Sequence, residues 1–276
     1  MSKSLVTVVI PIIAEQPTAL ELISLDQTLK VLGNYPITFM ARTELDTTWY
    51  EDYCRGKATV FIERFAWSGY KTFVALMMSP RFYQRFRAYE YMLICHLDAF
   101  VFRNELEQWC SLGYDYTGAV VYNPDFWNHP GIIKRLMGFN NPEYYANGGF
   151  CLKKVASFQR LTSRFKYYIA LHELLGRLRG AIGFYDDLFV TQHFPKLSSN
   201  FRMPPKALAE KFGADYMTTA EVDLPFTNRD NTTLPFGIHG WIQRNIEFWA
   251  PCIRRYGHDL QIPEAVAATP AVAAGA

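Results

Sequence analysis

Apolar and polar positions run along the first 121 residues in two alternating rhythms. Residues 5–10 are aliphatic and β-branched and end at Pro11, the pattern of a strand buried on both faces within a parallel sheet. In residues 18–33, TALELISLDQTLKVLG, apolar side chains recur at helical spacing, with Thr18 placed as an N-cap and Gly33 as a stop. YPITFMA predicts a second strand, a short helical piece follows, and ATVFIERF predicts a third strand. Residues 69–87 predict a helix or helix pair broken near Pro80, and residues 91–97 a fourth strand. A helix near 104–111 and a strand at DYTGAVV complete an alternation that predicts an α/β Rossmann-like sheet.

After residue 121 the pattern changes. Residues 122–148 carry Asn-Pro, His-Pro and an NGG triplet and predict loops. GFCLKKV predicts a strand, residues 156–178 predict long helices, and GFYDDLFVTQHF reads as a loop entering a further helix. The tail, EAVAATPAVAAGA, is low-complexity sequence predicted to be disordered. Neither an internal repeat nor a linker divides the chain, so residues 1–262 are expected to form a single domain, with 263–276 as the tail.

Composition narrows the class. A chain of 276 residues that is 50% hydrophobic can bury one large core. Seventeen tyrosines and six tryptophans suit sugar-like ligands, and suit an aromatic core as well. A net charge of +2 gives no electrostatic argument for nucleic acid. Five cysteines without a CxxC pair suggest neither a disulfide framework nor a zinc site, which fits a reducing, cytoplasmic setting. The apolar N-terminal run is too short to span a membrane.

Four stretches carry candidate chemistry. YEYMLICHLDAFVF places one carboxylate, Asp98, directly after the fourth strand, where ligands of open α/β sheets collect. Burying that charge unpaired is costly, so it has a structural partner or binds a cation; capping the following helix explains it equally well. His96 shares its side-chain parity and reads as a core histidine or a ligand. In YYANGGFCLKKV, two glycines ahead of a strand allow close backbone approach to a ligand, or a tight turn. In IGFYDDLFV, Asp186 or Asp187 is an N-cap or a general base. In LPFGIHGWIQR, His239 could complete an oxygen-rich metal site, with Trp241 covering a sugar face, or both could fill a tight turn.

The order of these four features resembles that of glycosyltransferases of the GT-A fold. LDAFVF, LEQWCSLGYDYTGA, NGGFCLKKV and FGIHGW resemble more closely a family of small bacterial glycosyltransferase-like proteins of surface-polysaccharide gene clusters. The resemblance implies a single-domain GT-A-type mixed sheet flanked by helices. Its half at about 1–121 would bind a nucleotide sugar and its half at about 122–262 an acceptor. Asp98 would hold metal and diphosphate, with His239 as the second metal ligand. Gly148 and Gly149 would form the donor loop, and Pro11 and Glu15 would border the nucleotide base. Asn147 and Trp241 would contact sugar, Asp187 would be the catalytic carboxylate, and Asp186 the acidic residue before it. The implied cofactor is Mn²⁺ or Mg²⁺, and the implied partners are a UDP-, GDP- or dTDP-sugar and a glycan or lipid-linked glycan. The family's usual motif has two aspartates with one residue between them; here Phe100 takes the second position, and His96 stands where a first aspartate could sit.

Two other functions fit part of the pattern. A sugar nucleotidyltransferase would carry a Gly-rich basic loop after the first strand, where this chain reads PIIAEQPTAL. A catalytically inactive glycan-binding or scaffold subunit would tolerate the incomplete Asp-x-Asp motif. The segment FKYYIALHELLGRLR, residues 165–179, fits core packing with a basic edge, or peripheral contact with the inner face of a membrane.

Overall fold

The computed structural model describes residues 3–122, 143–178, 184–216, 224–227 and 230–262. Most of the loop-rich stretch at 122–148, the start of the GFYDDLF segment, Arg179 and the 263–276 tail lie outside the described residues.

The first half of the chain folds as its pattern predicts. β1 (Ser4–Ile12) lies between β2 (Ile37–Arg42) and β4 (Tyr89–Cys95), all parallel, and β3 (Val60–Phe65) runs parallel to β2. Val8 and Val9 are both fully buried, on opposite faces of the sheet. Val8 and Ile10 pack with Leu25 of α1 (Ala19–Leu32) and Tyr50 of α2 (Thr48–Cys54). Val9 packs with Met77 of α3 (Tyr70–Met77) and Phe82 of α4 (Pro80–Arg85). Thr18 caps α1 through a reciprocal capping box with Glu21, and Pro80 opens α4 at its first turn.

Beyond β4 the sheet becomes mixed. β7 (Ala146–Lys154) is antiparallel to both β4 and β6 (Tyr116–Tyr122). β8 (Gly213–Tyr216) runs parallel to β6, β9 (Gly237–His239) parallel to β8, and β5 (Phe100–Val101) antiparallel to β9. Among the described residues the strand order is β3-β2-β1-β4-β7-β6-β8-β9-β5. β5 follows β4 after a single turn yet pairs at the far edge, so the second half of the sheet curls back toward β4. Around it lie α5 (Leu106–Ser111), α6 (Val155–Arg164), α7 (Lys166–Leu178), α8 (Asp186–Leu197), α9 (Lys206–Phe212), α10 (Trp241–Arg244) and α11 (Ile246–Arg255). The result is the expected α/β mixed sheet flanked by helices.

Two local expectations change. The NGG triplet lies inside β7 rather than ahead of it, and the β6–β7 register shifts between Gly118 and Ala119 opposite that point. Neither Asp186 nor Asp187 caps α8; the N-cap is Tyr185, and both aspartates occupy the first helical turn. All five cysteines are free and buried. No helix among the described residues is long and apolar enough to cross a membrane.

Candidate active site and metal centre

The turn joining β4 to β5 is pinned by the backbone at three points. The His96 N–H donates to the Gly149 carbonyl at 2.9 Å, the Ala99 N–H to the His96 carbonyl at 2.9 Å, and the Gly240 N–H to the Asp98 carbonyl at 3.0 Å. Gly240 has φ of 72°, a left-handed conformation that glycine adopts without strain and that ends β9 just after His239. Asp98 does not cap α5, whose N-cap is Glu105.

His239 lies between two carboxylates. Its Nδ1 is 3.1 Å from Oδ2 of Asp215, which is fully buried on β8, and its Nε2 is 3.2 Å from Asp98 Oδ1. Burial alone would depress the His239 pKa, but Asp98 and Asp215 outweigh it and push it up to about 10. Burial likewise favours the neutral form of Asp98, yet His239, with His96 and Arg244 behind it, holds that carboxyl well below the usual range. His96, with its ring 5.4 Å from that of His239, is pushed down to about 4 by burial and then by His239.

These residues fit a divalent cation. His96, Asp98 and His239 each offer one ligand atom, all within 4.8 Å of one another. Asp215 orients the His239 ring through Nδ1, which directs Nε2 to the cluster, where Asp98 Oδ1 lies 3.2 Å away. Mn²⁺ accepts imidazole nitrogen more readily than Mg²⁺, which binds almost entirely through oxygen, so two imidazoles and one carboxylate suit Mn²⁺ better. Gly149 makes the approach feasible: a Cβ at that position would fall 1.9 Å from His239 Nε2.

The acidic pair is held from β7. The Gly148 N–H donates to Asp187 Oδ2 at 3.1 Å, and the Leu188 N–H donates to Asp187 Oδ1 at 2.8 Å. Lys153, 2% exposed, places Nζ 3.6 Å from Asp186 Oδ2. Burial, and then the Asp186 charge beside it, raises the Asp187 carboxyl well above the ordinary carboxylate range.

One cavity of about 500 Å³ gathers Pro11, Asp98, residues 147–149, Asp186, Asp187 and His239. Two expected contacts fall outside it. Glu15 is exposed and absent from the lining, where Glu21 of α1 stands instead. Trp241 is fully buried and its ring N–H donates to Ser24 Oγ at 2.9 Å, so its aromatic face is spent on the core and not on a sugar. The lining also includes Tyr70 and Arg244, which the sequence reading did not single out, and Arg244 pairs through Nη1 with Asp215. Asp215 and Lys153 were missed as well. Their only local signal is a charge inside an apolar strand.

The architecture is similar to that of solved sugar transferases. Galactosyltransferase LgtC, solved with donor and acceptor sugar analogs, shares 13% identity over 94% of this chain and 98% of its own, with a TM-score of 0.57. Mouse xyloside xylosyltransferase 1, solved in the apo form, shares 12% identity over 90% of this chain and 99% of its own, with a TM-score of 0.55. At this identity the likeness establishes the GT-A fold. No curated protein matches the chain in sequence. A family model described as "Protein of unknown function (DUF5672)" matches residues 57–239, more than half of the chain and every residue of the metal cluster and acidic pair, and the chain belongs to that family.

Proposed function

We propose that the protein is a metal-assisted glycosyltransferase that moves a sugar from a nucleotide-diphosphate donor to a hydroxyl of a glycan or lipid-linked glycan in surface-polysaccharide synthesis. The observation that carries this reading is the single cavity in which the His96–Asp98–His239 cluster and the Asp186–Asp187 pair both take part. That LgtC and the mouse xylosyltransferase are sugar transferases on the same fold supports it.

Sugar transfer passes through an oxocarbenium-like state, so the site has to stabilise a departing diphosphate and accept a proton. A bound Mn²⁺ would supply Lewis-acid charge to the diphosphate oxygens. His96, Asp98 and His239 would hold that ion, and Arg244 adds positive charge beside them. Gly148 and Gly149 let the backbone approach the donor, with Pro11 at the nucleotide end. For transfer with inversion, the acceptor hydroxyl gives its proton to Asp187 as its oxygen bonds to the anomeric carbon. The carbon–oxygen bond to the diphosphate breaks, and the leaving group keeps the electron pair. Lys153 balances the Asp186 charge next to that base.

A peripheral membrane contact draws support from α7. Tyr167, Leu171 and Leu174, at i, i+4 and i+7, are exposed beside Lys166. Binding to vesicles containing anionic lipid, reduced in a Leu171→Ser, Leu174→Ser protein, is the expected result; no binding by the parent chain removes this part.

A thermal-shift screen of UDP-, GDP- and dTDP-sugars, with and without Mn²⁺, tests the central proposal. One donor should raise the melting temperature in a Mn²⁺-dependent way and be slowly hydrolysed without acceptor. If none does, the reading is wrong.

A further inference from the structure

A second cavity, of about 670 Å³, lies farther along α8 and plays no part in the donor chemistry described above. Its volume is within the roughly 300–1,000 Å³ range of small-molecule sites. Thr191 and Pro195 line it, and with Asp187 they stand at i, i+4 and i+8, a single stripe of α8. At 1.5 Å per residue these positions lie about 6 and about 12 Å from Asp187 along the helix axis. The facing chain makes the same journey: Tyr144 lines this cavity and Asn147 lines the donor cavity. Two elements thus run side by side from the catalytic carboxylate into the second cavity.

The lining chemistry is that of a site for neutral hydroxyl groups. Thr191 Oγ1 and Gln192 Oε1 lie beneath the cavity wall, shielded from solvent and without a hydrogen-bond partner, so a ligand group engages them through a side-chain rotation of these lining residues. Gln192 Nε2 donates to the Tyr145 hydroxyl at 3.3 Å, which fixes the amide so that its oxygen is the open acceptor. Pro195 sits inside the helix and has no N–H to offer the Thr191 carbonyl. Buried polar groups in native proteins are generally satisfied, so this concentration of open acceptors points to a donor-rich ligand. The walls are Tyr114, Tyr144, Phe201 and Pro204, flat apolar surfaces of the kind that cover the C–H faces of a sugar ring. Glu143 and Lys196 are of opposite sign, and the one remaining cation of the lining, Arg202, is exposed and donates through Nη2 to the Gly113 carbonyl at 2.8 Å.

We infer that the cavity lined by Thr191, Gln192 and Tyr144 is a carbohydrate subsite that holds neutral sugar units of the acceptor, with α8 aligning them so that the reacting hydroxyl reaches Asp187. The acceptor role rests on the glycosyl-transfer reading; the binding of sugar does not.

The test is a panel of neutral gluco-, galacto- and manno-oligosaccharides of two to four units, followed by saturation-transfer NMR and calorimetry. Binding of UDP and GDP in the presence of Mn²⁺ is recorded separately. Gln192→Leu removes the open acceptor, and Met203→Trp fills the cavity from a half-buried position without removing a buried polar group. Melting curves show that both variants are folded. At least one oligosaccharide should bind the parent chain, with affinity about tenfold weaker in Gln192→Leu and lost in Met203→Trp, and nucleotide binding unchanged in both. No binding by any oligosaccharide, or equal binding in parent and both variants, overturns the inference. Sugar binding without nucleotide binding removes the transferase reading and leaves the subsite standing; nucleotide binding without sugar binding does the reverse.

Discussion

His239 gives its Nδ1 to Asp215 at 3.1 Å and is left with Nε2 at 3.2 Å from Asp98. One imidazole thereby connects a fully buried carboxylate to a carboxylate in the cavity, and its orientation is set from behind rather than by the cavity itself.

Asp215 is therefore a positioning residue. An Asp215→Asn protein keeps the shape but loses the strong anionic acceptor for the imidazole N–H. We expect Mn²⁺ affinity, measured by calorimetry, to fall about 10- to 100-fold. Unchanged affinity would show that His239 needs no support from β8.

Gly149 offers a steric test. The added methyl of Gly149→Ala would fall 1.9 Å from His239 Nε2, so the ring or β7 has to move. Overpacking of this kind costs about 1–3 kcal/mol. The variant should melt at lower temperature and lose its Mn²⁺-induced shift, whereas Gly257→Ala, strained by its φ of 91° but outside the cavity lining, should keep the shift.

Asp187 carries a pH signature. Its carboxyl is raised from 3.8 to about 7 in the folded chain. A base has to be ionised to work, so transfer should rise with pH through the neutral range and level off above it. Asp187→Asn should lose about 10²- to 10⁴-fold in rate. Stability runs the opposite way. A raised carboxyl contributes its stability below the unfolded value of 3.8 and loses it as pH climbs through the folded value. Asp187→Asn should thus melt above the parent at pH 8 and gain nothing at pH 4. A parent protein that lost transfer on going from pH 6 to pH 8 would rule out the base assignment.

Metal preference follows from His96. With two imidazoles in the cluster, Mn²⁺ should stabilise the protein at lower concentration than Mg²⁺. His96→Asp replaces nitrogen by oxygen and should narrow that gap in a thermal-shift titration. Equal responses to both ions in the parent chain would mean that His96 is not a ligand.

How far the sequence reached depends on how local each signal is. Thr18 announces its helix start because capping is decided within four residues, and Pro80 announces a break because it cannot continue a helix. The strands β1, β2 and β4 announce themselves because a strand buried on both faces is largely apolar, whereas β3, at the sheet edge, carries Glu63 and Arg64 within its apolar run. Trp241 was not legible: an indole beside a histidine reads alike for a sugar platform and for a core, and the choice is made by Ser24, 217 positions away. Asp215 was hidden for the same reason. Its importance comes from the parallel pairing of β8 and β9, which brings it level with His239. His96 read as a core histidine or a ligand alike, because what distinguishes the two is its nearness to a ring contributed by the last strand.

The curl of the sheet places His96 at the end of β4 and His239 at the end of β9, on opposite sides of the seam where β5 returns. The two histidines come from distant parts of the chain, so the cluster exists only where β4 and β9 are both in place. An ion gripped by both histidines would tie the end of β4 to the end of β9 and should slow the peeling of the C-terminal strands. Protection of residues 237–239 from hydrogen exchange would then measure occupancy of the site directly, without any substrate in hand.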